Sequence, residues 1–347
     1  MKQYRILEVS PFPPELGGIS VSVQRLYERL QKEPDLEVYK YSLNAFCPRF
    51  FSHKIGIFLK FIWLYIYVLF SRRFDLVHFH VSGVFRRRLI SLIFPAVSPR
   101  SKMVFTVHGD MNDVLEEDPE LKEFNTADSI IVVKSGDSKL FPKSFNGRVY
   151  EIPAFIFPDT SKPLSLPNEL REFLVNDKPI ILMCGSIVVS EQYNDLYGFG
   201  DCVELYNSLK ANGIDVKMLM VCTGYKYEYE KKYHDGILNR IKHDKDIMLY
   251  DSKMEFWPIL NKCDIFVRPT KTDGDALSIR EALYMKKVVV TSDVVKRPDD
   301  VILYSDQNDL LQKILDCLGC IEGHKKRIGT QFDFYYEIVN VYHNTLK

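Results

Sequence analysis

Short apolar segments alternate with longer segments of helical pattern along the whole chain. Six runs in the first half are rich in β-branched and aromatic residues and have the length of buried strands: Ile6–Val9, Val38–Leu43, Leu76–His80, Val104–His108, Ile130–Val133 and Val149–Ile152. Continuous apolar strands separated by helices are typical of βα units, in which helices cover both faces of a mostly parallel sheet. The first half therefore predicts a doubly wound α/β domain.

The same pattern restarts after a proline-rich segment, in which four prolines lie within residues 153–167. Such a segment is typical of a linker. Six further strand-like runs follow it: Ile180–Cys184, Val216–Cys222, Ile247–Tyr250, Ile265–Val267, Val288–Thr291 and Val301–Tyr304. Helical patterns over Asn308–Leu318 and Gln331–Leu346 close the chain.

This repetition predicts two doubly wound, Rossmann-like domains that face each other across a cleft. We expect an N-terminal domain, a Pro-rich linker, a second domain and a C-terminal helix that could pack back on the first domain, over residues 1–157, 158–167, 168–325 and 326–347. Ligands of such sheets bind at the carboxyl ends of strands, so the loops after the strands are the places to look for chemistry.

Composition narrows the class of protein. The chain has 347 residues with 46 basic and 46 acidic side chains, and this balance gives no reason to expect nucleic acid as a partner. Its seven cysteines are scattered and odd in number, and no signal-peptide pattern precedes them. We therefore expect a reduced, cytoplasmic protein without a disulfide framework.

The zero net charge conceals a basic segment and an acidic one. Residues 49–102 hold ten Lys or Arg against one acid, whereas 110–123 hold seven acids against one base. The basic segment encloses a fourteen-residue apolar run, 57–70, which is shorter than the roughly 20 residues of a membrane span. This run predicts either a buried core helix or an interfacial helix. In the second case Arg72, Arg73 and Arg86–Arg88 would face anionic lipid at the inner membrane surface.

Two loops of the first half carry candidate chemistry. Gly17 and Gly18 follow the first strand, where their amides could approach a ligand closely; the alternative is a tight turn that needs positive φ. His108 ends a predicted strand and precedes a glycine, which favours a functional histidine over a structural one. His78 and His80 share one face of their strand, at its carboxyl end. We expect them to have no carboxylate neighbour, which favours a structural role over metal binding.

The most informative segment, 267–283, has the pattern of a strand, a polar turn and a helix. The strand ends near Arg268 and the helix starts near Ala276. A helix N-terminus offers free N–H groups and a partial positive charge, which suit a diphosphate. Three cations surround this turn, namely Arg268, Lys271 and Arg280.

Acidic residues of the same segment allow two interpretations. Glu281 lies about one turn into the helix, where it could accept hydrogen bonds from the vicinal hydroxyls of a ribose. Alternatively, Ser278 and Glu281 form a capping box and Asp273 and Asp275 are turn residues. Capping does not require three cations in one short loop, so we predict a nucleotide-diphosphate site.

The segment resembles the donor-binding signature of the retaining GT-B glycosyltransferases of the large "family 4" group. In that signature two acids with seven residues between them bracket a Gly-Leu turn; Asp273 and Glu281 have this spacing, and Ala276-Leu277 stands at the turn. The following Val288–Asp293 matches the strand after this signature. Weaker matches to the group's N-terminal motifs follow its order, so that the resemblance covers nearly the whole chain: Gly17-Gly18, Asp75–His80, Thr106–Gly109 and Ala127–Val133.

Two positions depart from the group's pattern. The first acid is Asp273 where the group usually has a glutamate, so its reach is one methylene shorter. The group also has an arginine and then a lysine after the strand that ends near Gly185, and residues 185–192 contain neither. We expect the cations of the 268–280 turn to neutralise the diphosphate instead.

The resemblance implies that a sugar is transferred from a nucleotide-sugar to an acceptor hydroxyl with retention of configuration and without a cofactor or obligatory metal. The second domain would hold the nucleotide, with Glu281 on the ribose. The diphosphate would lie on the amides of Ala276, Leu277 and Ser278 and on the three cations. Asp273 and His108 would be catalytic and face the donor sugar, with Gly17 and Gly18 also on the donor.

The first domain, with its basic and aromatic segment, would then bind the acceptor. A glycan or lipid-linked acceptor at the membrane surface fits that segment, which favours surface polysaccharide or glycolipid biosynthesis. Two other functions remain open at this point: a nucleotide-sugar epimerase of the same fold, and a non-catalytic protein that binds a nucleotide or a glycan.

Overall fold

The computed structural model describes residues 3–13, 17–43, 53–71, 73–81, 83–143, 145–161, 165–175, 177–192, 194–252, 254–273 and 276–347, with the side chains of the second helix described from residue 59 onward. The chain divides into two compact units. The first unit consists of Met1–Ile156 together with Asp333–Lys347, and the second unit of Phe157–Phe332.

Twelve strands are found in the described residues: β1 (Tyr4–Ser10), β2 (Leu36–Ser42), β3 (Leu76–Phe79), β4 (Lys102–Val107), β5 (Ser129–Val132), β6 (Arg148–Glu151), β7 (Ile180–Gly185), β8 (Lys217–Cys222), β9 (Ile247–Asp251), β10 (Ile265–Arg268), β11 (Val288–Ser292) and β12 (Ile302–Tyr304). Each corresponds to one of the predicted apolar runs, with bounds shifted by one or two residues.

The α-helices of the described residues are α1 (Gly18–Leu30), α2 (His53–Phe70), α3 (Val84–Val97), α4 (Met111–Glu117), α5 (Asn168–Phe173), α6 (Phe199–Ala211), α7 (Glu228–Ile241), α8 (Trp257–Leu260), α9 (Leu277–Tyr284), α10 (Gln307–Gly319), α11 (Ile321–Arg327) and α12 (Tyr335–Leu346). Two short 3₁₀ segments, Lys122–Phe124 and Asp137–Leu140, lie in the first unit.

The first unit is built on a six-stranded parallel sheet of order β2-β1-β3-β4-β5-β6. One face packs against α2, α3 and α4 through residues such as Phe79 and Phe105. The other face, with Ile6 and Val104, packs against α1 and α12. The strands are apolar on both faces because both faces are covered.

The second unit repeats this architecture with a six-stranded parallel sheet of order β12-β11-β10-β7-β8-β9. Helices α6, α7 and α10 cover one face, and α5, α8 and α9 cover the other. The predicted α/β fold with two doubly wound, Rossmann-like domains is therefore confirmed.

The C-terminal segment differs in detail from the prediction. Residues 328–334 are not helical, and α12 begins at Tyr335, whose amide donates to Asp333 at 3.0 Å. The Phe334 amide donates to the carbonyl of Phe155 at 3.1 Å, so the chain reaches the first unit before the helix starts. Tyr335 and Tyr342 are then fully buried against the sheet of that unit.

Candidate functional site

A polar cluster lies within the first unit, on the face of the sheet that packs against α12. Parallel pairing of β1 with β3 places Glu8 opposite His78, and both side chains are completely buried. His80 follows β3, and its Nε2 lies 3.1 Å from Glu8 Oε2. The expectation that His78 and His80 have no carboxylate neighbour is therefore wrong, because Glu8 comes from a strand 70 residues earlier.

His108, at the carboxyl end of β4, extends this cluster toward its edge. It is half-buried, and its Nε2 lies 3.0 Å from His80 Nδ1. Glu8, His80 and His108 thus form a continuous chain of hydrogen bonds across three neighbouring strands. We call these three residues the relay.

The remaining polar groups of the cluster complete the hydrogen bonding around Glu8. Tyr342 on α12 donates its hydroxyl to Glu8 Oε1 at 2.5 Å and lies 2.6 Å from His78 Nδ1. The other ring nitrogen of His78 is 2.7 Å from the hydroxyl of Thr106. Helix α12 therefore supplies a side chain on which the cluster depends.

Burial decides the protonation of the relay. Desolvation raises the pKa of Glu8 to about 8, against a smaller opposing effect of the Tyr342 hydrogen bond. Desolvation lowers the pKa of His80 to about 3 and holds the pKa of His108 well below its usual value, the latter with a further contribution from His80. At neutral pH the histidines are uncharged and Glu8 is mostly protonated, so their contacts are neutral hydrogen bonds.

Two groups of side chains bring possible metal-ligand atoms within 4.8 Å of one another in the described residues: Glu8, His78 and His80 in the first unit, and Cys222, His234 and Asp251 in the second. In the first group every such atom already has a hydrogen-bond partner. In the second group the Cys222 thiol donates to the carbonyl of Gly224 at 3.7 Å, and His234 Nε2 lies 3.0 Å from Asp251 Oδ1. We describe both as hydrogen-bonded clusters.

Gly17 and Gly18 stand at the start of α1 in the first unit. Gly17 is extended, with φ of −159°, and Gly18 is helical, so the alternative of a turn that needs positive φ is wrong. Among the described residues, no atom lies within 4 Å of a Cβ placed on either glycine. The backbone at this helix N-terminus is therefore open to close approach.

Arg268 forms the centre of the candidate site in the second unit. It ends β10 and is nine-tenths buried. Its Nε and Nη2 donate to Asp273 at 3.1 and 3.2 Å, and its Nη1 donates to the carbonyl of Cys184 at 2.9 Å. The guanidinium also lies over the ring of Tyr197, 4.8 Å from its centroid. These contacts hold Arg268 in one position at the carboxyl edge of the sheet.

Arg297 is a second buried cation at this site and was not predicted. Its Nη1 donates to Asp273 Oδ2 at 3.0 Å, so one carboxylate joins two arginines. Arg297 follows β11, which pairs with β10 in parallel. The sequence signal that could have identified Arg297 is its place after the neighbouring strand, because the carboxyl ends of adjacent parallel strands meet at one edge of the sheet.

The other predicted residues of the turn have different environments. Lys271 is 43% exposed and forms an ion pair with Asp201 in the first turn of α6. Arg280 is half-buried on α9, whereas Glu281 is buried. Residues 274 and 275, and with them the turn position predicted for Asp275, lie outside the described residues.

The N-terminus of α9 excludes the capping-box alternative. The helix begins at Leu277, so Ser278 lies inside the first turn and Ala276 is the N-cap residue. Ala276 offers no side-chain acceptor, and the first turn contains no acidic residue. In the part of the chain that the structure describes, no side chain caps the first-turn amides, which leaves them suited to an anionic ligand.

Helices α2 and α3 of the first unit combine a buried face with an exposed apolar one. Phe61 and Leu64 are buried in the core, whereas Trp63 is 59% and Phe70 is 87% exposed. On α3, Leu92 is 79% exposed. One side of the run is therefore a core face, as the first interpretation predicts, and the other side is exposed. Among the described residues, no helix is both long and apolar enough to cross a membrane.

Some of the arginines that were expected to face lipid are instead paired with acidic residues. Arg87 is buried and donates to Glu123 at 2.7 Å, and Arg88 pairs with Asp118 at 2.8 Å. The prediction that the whole triplet Arg86–Arg88 faces lipid is wrong for Arg87, because the acidic segment folds back on α3. Arg72 lies outside the described residues, and Arg73 is exposed.

Comparison with known proteins identifies solved structures with the same architecture. No protein-family profile matches the sequence, and no curated protein matches it. Solved structures match over nearly the full length of both chains. They include the trehalose-phosphate synthase (UDP-forming) from Burkholderia xenovorans, with 13% identity, a TM-score of 0.72 and coverage of 99% of this chain and 100% of that chain.

Two further matches have the same extent. Sucrose-phosphate synthase from Thermosynechococcus elongatus is 14% identical with a TM-score of 0.70, over 99% of each chain. HepE from Anabaena, solved in complex with UDP and glucose, is 13% identical with a TM-score of 0.66, over 99% of this chain and 100% of that chain. At such identities the similarity establishes the fold. The chain has the GT-B fold of glycosyltransferases.

Proposed function

We propose that the protein is a glycosyltransferase that moves a sugar from a nucleotide-sugar to an acceptor hydroxyl. The observation that carries this proposal is the site in the second unit, where the buried Arg268 ends β10 and no side chain of the described residues caps the first-turn amides of α9. The full-length GT-B fold supports it, since a fold alone does not establish an activity.

Arg268 would bind the diphosphate. Its contacts with Asp273 and the Cys184 carbonyl use three of the five guanidinium N–H groups. The two others have no hydrogen-bond partner among the described residues and would donate to phosphate oxygens, with Lys271 and Arg280 adding charge at the rim. Arg268 thus replaces the cations that the 185–192 segment lacks.

The remaining donor contacts follow the predicted assignment. Glu281 would accept hydrogen bonds from the ribose, and the Ala276, Leu277 and Ser278 backbone would bind phosphate. Asp273 Oδ1 accepts from Arg268 alone among the described residues, which leaves it capacity for a sugar hydroxyl. Because HepE was solved with UDP and glucose, a UDP-hexose is the donor class that we propose.

Catalysis would rest on electrostatic stabilisation of the departing diphosphate. Preorganised cations and helix amides stabilise charge that develops in the transition state, and they need no reorganisation during the reaction. In this proposal Arg268 and the α9 amides supply that stabilisation, without an obligatory metal. His108 would form a neutral hydrogen bond with the donor sugar, and retention of configuration follows from the resemblance to family 4.

The exposed face of α2 and α3 would hold the protein at a membrane that carries the acceptor. Trp63, Phe70 and Leu92 offer apolar contact, and Arg73 adds charge that attracts anionic lipid. A glycan on a lipid carrier at the inner membrane surface fits this arrangement. The setting we propose is therefore surface polysaccharide or glycolipid biosynthesis.

The proposal is tested by incubating the protein with a panel of radiolabelled nucleotide-sugars and following three products. We expect release of the nucleoside diphosphate that increases when a lipid-linked or glycan acceptor is added. Conversion of the donor into an epimer without nucleotide release would show an epimerase. Binding of donors without any conversion would show a non-catalytic protein.

A further inference from the structure

The relay joins a fully buried carboxyl to the ring of His108 through a single histidine. His80 Nε2 faces Glu8 Oε2 and His80 Nδ1 faces His108 Nε2, at 3.1 and 3.0 Å. A neutral imidazole has one nitrogen that donates and one that accepts. A proton on one nitrogen of His80 therefore dictates the role of the other, and with it the role of His108 Nε2.

We propose that Glu8 and His80 are positioning residues that decide which ring nitrogen of His108 carries the proton. This inference extends the proposed function, in which His108 contacts the donor sugar. The tautomer itself is a property of the ligand-free protein. In the described residues His108 Nδ1 has no hydrogen-bond partner, so this nitrogen is the one left for a ligand.

With Glu8 protonated and the Tyr342 hydroxyl donating to Oε1, the relay has one consistent arrangement. Tyr342 donates to Glu8 Oε1, so the carboxyl proton lies on Oε2 and is donated to His80 Nε2. His80 then carries its proton on Nδ1 and donates it to His108 Nε2. His108 carries its proton on Nδ1 and presents a donor to the ligand.

With Glu8 ionised, donor and acceptor exchange roles in both hydrogen bonds of the relay. Glu8 Oε2 accepts from His80 Nε2, and His80 Nδ1 accepts from His108 Nε2. His108 Nδ1 is then a bare acceptor. The two states differ by one proton, which is lost from His108 Nδ1. One proton also moves from Glu8 to His80 and one from His80 to His108, so that the negative charge lies on Glu8.

The neighbours of the relay favour this behaviour over ordinary titration of the histidines. Burial holds the pKa of His80 and His108 well below neutrality, so neither gains a second proton in the range where Glu8, with a pKa of about 8, titrates. His78 is likewise held neutral between Tyr342 and Thr106. The carboxylate near His108 in sequence, Asp110, is ion-paired with Lys134.

Nitrogen-15 NMR of the histidine rings in the ligand-free, full-length protein tests the proposal. In the wild type we expect His108 to carry its proton on Nδ1 at pH 6.5 and on Nε2 at pH 9.5. Glu8→Gln has nearly the same shape, cannot ionise and donates to His80 through its amide. We expect this variant to keep the proton of His108 on Nδ1 at both pH values.

His234, in the second unit, is the internal control and should give the same ring signals in both proteins. The proposal is overturned if His108 shows the same tautomer in wild type and Glu8→Gln at pH 9.5, or if the wild-type tautomer does not change with pH. Should Glu8→Gln fail to fold, Tyr342→Phe must move the wild-type transition to higher pH, because it removes the bond that lowers the pKa of Glu8. None of these readouts requires sugar transfer, so failure of the proposed function would leave them unchanged.

Discussion

At the scale of single residues, the buried ionisable groups Arg268 and Glu8 are held in opposite ways. Arg268 keeps its charge because Asp273 accepts two of its hydrogen bonds, although Arg297 shares the same carboxylate. Among the described residues, Glu8 has no cation beside it and is neutralised by burial. A buried charge is tolerated only when it is paired, and Arg268 has a partner of opposite charge whereas Glu8 does not.

Arg268 should contribute to binding of the diphosphate and little to binding of the nucleoside. We expect Arg268→Ala to weaken UDP binding by about 2–3 kcal/mol, the scale of lost charge-assisted hydrogen bonds, and to change uridine binding much less. Lys271→Ala is the matched control, with a smaller effect because Lys271 is exposed and paired with Asp201. Calorimetry that shows equal losses for uridine and UDP, or no loss for either, would refute this role.

Glu8 should make stability depend on pH in a defined direction. Its pKa is raised from 4.5 to about 8 on folding, so the folded state binds more protons and this part of the stability is lost as pH rises through about 8. Glu8→Gln lacks this dependence. Relative to wild type, we expect the urea midpoint of the variant to rise between pH 7 and pH 9.5, and a constant difference between the two proteins would contradict the shifted pKa.

At the scale of elements, α2 and α3 each have one side buried in the core and another side exposed. One side of α2 contributes Phe61 and Leu64 to the core, and the other exposes Trp63 and Phe70. The sequence predicted the length and apolar character of this helix. It did not predict that Arg87 and Arg88 of α3 would form ion pairs with the acidic segment, because the paired residues lie 30 or more positions apart in sequence.

We therefore expect membrane association that rests more on apolar contact than on charge. Wild-type protein should sediment with anionic vesicles. High salt should weaken this binding but should not abolish it. Trp63→Glu combined with Phe70→Glu should reduce binding at least tenfold, since burial of one large apolar side chain is worth about 1.5–3 kcal/mol. Phe332→Glu, at an exposed aromatic residue of the second unit, is the control.

Absence of the wild-type protein from pellets of both anionic and neutral vesicles would contradict the membrane role of α2 and α3. Their exposed side chains would then need a different partner. Equal sedimentation of the double variant and the wild type would assign binding to another surface.

At the scale of the whole molecule, the sequence predicted the alternation of strands and helices well because parallel strands buried on both faces are continuous apolar runs. The N-terminus of α9 also followed from local pattern. The contacts between distant segments could not be predicted from local pattern. Glu8 lies opposite His78 because of the register of β1 and β3, and Arg297 lies near Asp273 because β10 pairs with β11. Register depends on packing of the whole sheet, which no short motif encodes.

For the whole molecule we propose transfer of a sugar with retention of configuration. It is tested most directly by time-resolved proton and phosphorus NMR of the protein with a UDP-hexose and an acceptor. We expect free UDP to accumulate together with a new glycoside whose anomeric proton has the configuration of the donor. A product of the opposite configuration, a second nucleotide-sugar without free UDP, or an intact donor across the whole nucleotide-sugar panel would contradict it.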